Sequence, residues 1–347
     1  MIKQFTDIIR QAAERSEPLQ IRGSGSKDFY GGPLNGRPLD VSGYRGVVDY
    51  APQELVITAR AGTPLAEIEQ LLAEHGQMLP FEPPHFGAGA TLGGCVAAGL
   101  SGPRRASAGS VRDFVLGVRL LDGRGQDLRF GGQVMKNVAG YDVSRLLAGS
   151  LGTLGIMLEI SLKVLPRAAE SATLRFAMEE AKAIETMNRW SGKPFPMTAS
   201  SWHDGILTIR LEGAATAVKA AHETLGGDIV PDADSFWKNL REHSVAFFQT
   251  EQPLWRLSLP STAQPLSGTT LLEWCGALRW MITDHDAVSI RKAAEAAGGQ
   301  GTLFRGGNKQ AGAFHPLPDA MLTLHKRTKQ TFDPAGIFNP GRMYVEI

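Results

Sequence analysis

The residues with most chemical promise form four short glycine-rich stretches. The first is Arg22-Gly23-Ser24-Gly25-Ser26-Lys27 and the second Ala90-Thr91-Leu92-Gly93-Gly94-Cys95-Val96-Ala97-Ala98-Gly99. The third is Ser107-Ala108-Gly109-Ser110-Val111-Arg112-Asp113-Phe114-Val115-Leu116-Gly117. The fourth is Lys136-Asn137-Val138-Ala139-Gly140-Tyr141-Asp142, followed by Gly149-Ser150-Leu151-Gly152-Thr153-Leu154-Gly155-Ile156. Small residues let a backbone come close to something flat or anionic, and consecutive N–H groups can converge on an anion. In the first stretch Gly23 and Gly25 have dinucleotide-fingerprint spacing, but Asp28 stands where the third glycine belongs and no helix pattern follows. The lysine lacks P-loop spacing. The residues alone leave two readings: an anion-binding nest suited to a diphosphate, or an ordinary tight turn.

Other chemistries find little support. The eight histidines are scattered, no two closer than ten positions, so no helix-face metal pair forms and no metal is expected. Cys95 and Cys275 are too few for a disulfide framework, a four-cysteine zinc site or an iron–sulfur cluster. Ser101 has no nucleophile-elbow spacing around it. Net charge +1 gives no general attraction to nucleic acid. The first residues lack a signal-peptide core and no apolar stretch reaches membrane-spanning length, so a cytoplasmic protein is expected.

The elements that must position these loops follow from periodicity. A helix is expected over Ile2–Ala12 and a strand at Leu19–Arg22. A strand at Leu55–Ala61 leads to a helix with Thr63 as N-cap and Pro64 at its first position, ended by Gly76. Residues 80–112 read as a long functional loop. Strands Val115–Leu121 and Leu128–Phe130, a helix over Asp142–Ala148 and an alternating strand from Ile156 to Val164 follow. Beyond Pro166, strand and helix patterns alternate in two sets. The first is Thr173–Ala177, Glu179–Trp190, Ile206–Leu211 and Ala214–Leu225; the second is Trp255–Leu259, Leu278–Ile282, Asp286–Ala297 and Thr302–Arg305. This predicts a domain boundary near Arg167: residues 1–166, then an antiparallel-sheet domain over 167–330, then a rigid tail over 331–347.

In order and separation the motifs resemble the FAD-binding domain of the vanillyl-alcohol-oxidase / p-cresol-methylhydroxylase (PCMH) family. They are Arg22-Gly23-Ser24-Gly25-Ser26, Thr91-Leu92-Gly93-Gly94, Gly109-Ser110-Val111-Arg112-Asp113, Lys136 to Asp142, Gly152-Thr153-Leu154-Gly155-Ile156, and Phe332 to Gly341. The resemblance implies an α+β fold, a two-lobed PCMH-type FAD-binding domain with an α+β, ferredoxin-like cap. It implies FAD contacts at Arg22, Gly23, Ser24, Gly25, Ser26 and Lys27, at Pro80, and at Thr91, Leu92, Gly93, Gly94 and Ala97. Further contacts are implied at Gly109, Ser110, Arg112, Asp113 and Val115, at Gly152, Thr153, Gly155 and Ile156, and at Asn339. Members with covalent flavin carry a histidine where this chain has Ser26 or Lys27, so non-covalent FAD is implied.

Within the family the chain is similar to the FAD-binding subunits of bacterial glycolate oxidases. That likeness implies a sister FAD subunit and an iron–sulfur subunit as partners, a small 2-hydroxy acid substrate for the complex, and any membrane association through partners. The cap string typical of 2-hydroxy-acid dehydrogenases is incomplete: Phe304-Arg305-Gly306-Gly307-Asn308 and the later His315 lack its leading His and its Asp. Arg305 and His315 remain the catalytic candidates. Two alternatives stand: a self-sufficient FAD-dependent 2-hydroxy acid or sugar-lactone dehydrogenase, and a non-catalytic assembly subunit.

Overall fold

The computed structural model describes residues 1–132, 142–310 and 312–347. Its first lobe is built on a five-stranded antiparallel sheet in the spatial order Val47–Ala51, Val56–Arg60, Ile156–Lys163, Val115–Leu121, Asp127–Gly131. The central strand Ile156–Lys163 is covered on both sides. Ile160 and Leu162 face a core shared with helices Leu65–Glu74 and Leu92–Ala98, whereas Ile156 and Leu158 face the helix Ile2–Arg15. A register shift against Arg119 and Leu120 makes the switch, because one extra residue flips every later side chain to the other face. Phe5, Ile9 and Ala12 anchor the first helix, and each fully buried large side chain contributes about 1.5–3 kcal/mol.

The cap is one eight-stranded sheet, antiparallel at every pairing: Asp228–Ile229, Glu170–Ala177, Ile206–Gly213, Met197–His203, Thr269–Glu273, Leu278–Ile282, Leu254–Ser258, Gln300–Arg305. Helices Glu180–Ser191 and Ala215–Leu225 cover its first half and Ala287–Ala296 its second, each over a separate core. The expected α+β class is borne out, with the two strand–helix units fused into one sheet. An aromatic core joins the lobes: Tyr30 and Phe86 pack with His243, Phe248, Trp280 and Phe304.

Several local expectations need correction. Thr63 does not cap the helix Leu65–Glu74; fully buried, its hydroxyl accepts from Gly46 N at 2.8 Å and donates to Gly46 O. Residues 80–112 are not all loop, since Leu92–Ala98 is a helix capped by Thr91. Helix Ala233–Arg241 and strands Met197–His203 and Thr269–Glu273 were not anticipated.

The C-terminal segment closes back on the first lobe. Leu19 N donates to Ile337 O at 2.7 Å and Asn339 N to Leu19 O at 2.9 Å, so the segment lies beside the strand Leu19–Arg22. Asp333, fully buried, accepts from Ile337 N, Phe338 N and Lys329 Nζ; Lys329 also donates to Thr153 O and Phe338 O. Buried charges persist only when paired in this way.

Candidate cofactor site

Three loops and the C-terminal segment meet at one cleft in the first lobe. Its walls are Ile21 to Asp28, Leu34, Val41, Ala61, the helix start at Thr91, Gly93, Gly94, Ala97 and Ala98, then Leu151, Gly152, Gly155, Ile156 and Met157, and Asn339 with Arg342. Strand Leu19–Arg22 delivers the first loop. Thr91 sets the second, its hydroxyl accepting from Gly94 N at 3.2 Å.

The glycines of this cleft serve different purposes. Gly25 adopts φ +79°, a region L side chains rarely enter. A Cβ on Gly93 would stand 2.8 Å from Ala61 Cβ and 3.0 Å from Ala61 O, so this glycine lets helix and strand touch. A Cβ on Gly94 would meet only Thr91 Oγ1, at 3.2 Å, with open cleft beyond. Gly94 therefore keeps a wall thin for a guest, whereas Gly93 serves packing.

Polar groups in the cleft are left for a ligand. Among the described residues no protein acceptor is recorded for the backbone N–H of Ser24, Gly25 or Lys27, and Ser26 N has only a long 3.4 Å bond to Ser24 Oγ. Arg22 pairs with Asp28 at 2.5 Å. Burial lowers the Lys27 pKa, opposed by the nearby Cys95 thiol and Glu242; Lys27 Nζ donates to His85 O at 3.1 Å. Arg342 is buried and donates to the carbonyls of Gly32, Lys27 and Asp28. Burial lowers its pKa too, with Asp28 opposing. Arg342 thus occupies the carbonyls of Lys27 and Asp28, while the N–H groups of Ser24, Gly25 and Lys27, all wall residues, have no protein acceptor among the described residues. N–H groups left open in a wall are what an anionic diphosphate requires, and FAD fits the cleft on this ground.

The predicted residues divide. Arg22 to Lys27, Thr91, Gly93, Gly94, Ala97, Gly152, Gly155, Ile156 and Asn339 line the cleft. Pro80, Leu92, Gly109, Ser110, Arg112, Asp113, Val115 and Thr153 lie outside its lining. Leu92 and Val115 are core, Pro80 is buried between core residues Leu79 and Phe81, and Thr153 donates to Ser150 O at 2.7 Å. Asp113 accepts from Ser110 N and Oγ as a capping box, and Arg112 donates to Ala148 O at 3.1 Å. Residues 136–141 of the fourth stretch lie outside the described residues. The cap candidates do not reach the cleft either: Arg305 donates to Phe248 O at 2.6 Å, and His315 Nε2 lies 3.1 Å from Glu295 Oε1. Leu34, Ala61 and Arg342 are among the lining residues missed. Only Arg342 left a sequence signal, following Asn339-Pro340-Gly341 directly.

Fold and cleft together define an FAD-binding oxidoreductase of the PCMH type. A family model described as "FAD binding domain" matches residues 2–131. The chain is 51% identical to glycolate oxidase subunit GlcE of Escherichia coli (strain K12) over 98% of this chain and 96% of that protein. Glycolate oxidase subunit GlcD of Bacillus subtilis (strain 168) is 29% identical over 49% of this chain and 37% of its own length. Among solved structures, alkyldihydroxyacetonephosphate synthase superposes with a TM-score of 0.65 at 15% identity, covering 96% of this chain and 73% of that one, a likeness of fold. The chain belongs to the GlcE family of glycolate oxidase subunits, and its cofactor is FAD.

Proposed function

We propose that the chain is the FAD-binding subunit of a multi-subunit glycolate oxidase, taking part in oxidation of glycolate to glyoxylate and passing electrons to a partner. The observation that carries this is the 51% identity with the Escherichia coli subunit across nearly the whole of both chains. Oxidation at a hydroxyl-bearing carbon removes a hydride from carbon and a proton from oxygen, and FAD when bound supplies the two-electron acceptor. The chain's own part is to hold the diphosphate on the Gly23–Lys27 backbone, to keep Gly94 out of the guest's way, and to stiffen the loop through Arg342.

Electrons must then leave. Two cysteines cannot hold an iron–sulfur cluster, which favours a sister FAD subunit and a separate iron–sulfur subunit as partners. Among the described residues no helix is long and apolar enough to cross a membrane. In this reading residues 1–166 and 331–347 form the flavin lobe and 167–330 the cap. The positions of Arg305 and His315, and the aromatic packing between lobes, favour substrate chemistry that needs the assembled complex over a self-sufficient dehydrogenase. The test is to assay glycolate oxidation with the chain alone and with the sister flavoprotein and iron–sulfur subunit restored. Turnover should appear only in the second case; robust turnover by the chain alone would overturn the proposal.

A further inference from the structure

We infer that Glu242, a cap residue, is the latch of the FAD site: it holds the strap Glu82–Gly89 against the diphosphate loop and so sets how long FAD stays. The inference rests on the reading of Ser24 to Lys27 as the diphosphate nest.

The strap begins Glu82-Pro83-Pro84, and neither proline has an N–H to give. The next two donors, His85 N and Phe86 N, both point at Glu242, at 3.0 and 2.8 Å from Oε2. The backbone there is held in an unfavourable state: Glu82 has φ +44° and Phe86 φ +52°, neither of them glycine. A conformation of this kind persists only when its surroundings fix it. Two charge-assisted hydrogen bonds onto one carboxylate do so, and Arg241 Nε holds that carboxylate in turn at 2.8 Å.

On its other side the strap lies on the nest. A Cβ on Gly89 would stand 3.2 Å from Ser24 Cβ, and one on Gly87 3.5 Å from Ser26 Cβ. Lys27 Nζ reaches the His85 carbonyl, the residue whose N–H Glu242 holds. One residue of the strap therefore connects a cap carboxylate to a wall residue of the cleft. If the carboxylate lets go, Phe86 relaxes toward ordinary φ, the Lys27 tether shifts, and the strap lifts from Ser24 and Ser26. Glu242 is thus a positioning residue that makes FAD retention depend on where the cap sits.

The test is FAD dissociation from the full chain, followed by recovery of free-flavin fluorescence after dilution. Glu242→Ala should release FAD at least about tenfold faster and Glu242→Gln by an intermediate factor, as expected for losing two bonds to a charged acceptor. The apoprotein melting temperature should move by no more than about 2 °C in Glu242→Gln. Glu212→Gln is the control. It breaks the 2.5 Å pair with Arg104 across the lobes and the 2.8 Å pair with Arg210 inside the cap, while Arg104 and Arg210 keep their pairs with Glu82 and the strap's N–H groups keep Glu242, so FAD release should be near wild type. Unchanged release in both Glu242 variants, or equal acceleration in Glu212→Gln, would overturn the latch. Gly25→Val separates this from the nest reading: if it keeps FAD, the nest fails, whereas FAD loss there with no effect at Glu242 removes the latch alone.

Discussion

The side-chain amide of Asn339 donates to the carbonyl of Leu151 at 2.6 Å, across 188 positions of sequence, while its oxygen accepts from Ile21 N at 2.7 Å. One buried amide thereby fixes the C-terminal segment, the Leu151–Ile156 stretch and the strand that carries the diphosphate loop. Leu151 needs the support, since its φ is +51°. Asn339→Ala leaves a buried donor and acceptor unmet and should cost about 2–4 kcal/mol by denaturant unfolding, with weaker FAD binding. Asn339→Asp keeps the acceptor but sets an unpaired carboxylate oxygen against the Leu151 carbonyl, so it should cost at least as much.

Gly93 and Gly94 are neighbours with opposite consequences. Gly93→Ala drives a methyl into Ala61 and should destabilise the apoprotein by about 1–3 kcal/mol. Gly94→Ala faces open cleft, so apoprotein stability should stay within about 1 kcal/mol of wild type while FAD affinity falls. Thermal melts of both apoproteins with FAD titrations distinguish the two. Equal melting losses would contradict the division.

Much of this site was legible because its residues do local backbone work. Gly25 and Gly152 were both expected to contact FAD, and both have positive φ. Thr91 caps its helix, and the Phe332–Gly341 motif is explained by Asp333 and Asn339. What escaped lacked a local pattern. Thr63 resembled an N-cap, but its hydroxyl was taken by distant Gly46. Strand Thr269–Glu273 is buried on consecutive residues and so shows no alternation. Helix Asp319–Phe332 has only Lys329 buried, which leaves no apolar stripe to read. Arg342 works through three carbonyls 310 to 315 positions away, which no window can register.

Glu273 gives the fold a pH dependence of defined sign. Burial pushes its pKa up to about 7, against the hydrogen bond from Trp280 Nε1 at 2.8 Å and the charge of Arg256. Between its unfolded value and about 7 the folded chain keeps a proton that the unfolded chain has released. Stability from this group is therefore full at low pH and lost as pH rises through that window, by about 3 kcal/mol in all. In Glu273→Gln this loss should vanish, so melting temperatures measured from pH 5 to 8 should move in favour of the variant as pH rises. A constant difference across the range would refute the assignment.

His315 should prove a bystander. Its Nε2 faces Glu295, and its Nδ1 accepts from Gly301 N at 3.4 Å, so both nitrogens are used away from the cleft. His315→Ala in the assembled complex should reduce turnover by less than about tenfold, whereas losing a general base costs roughly 10²–10⁴-fold. A loss in the larger range would bring catalysis into this chain.

The most direct measurement of the central claim is flavin stoichiometry in the chain purified alone, before and after acid precipitation, with Gly25→Val alongside. The chain should carry flavin absorbance near one FAD per polypeptide, and acid should release all of it into the supernatant as intact FAD. Gly25→Val, forced toward φ +79° at the diphosphate loop, should carry none. Flavin that stays in the acid pellet, or a wild-type chain that takes up no FAD on reconstitution, would contradict the account.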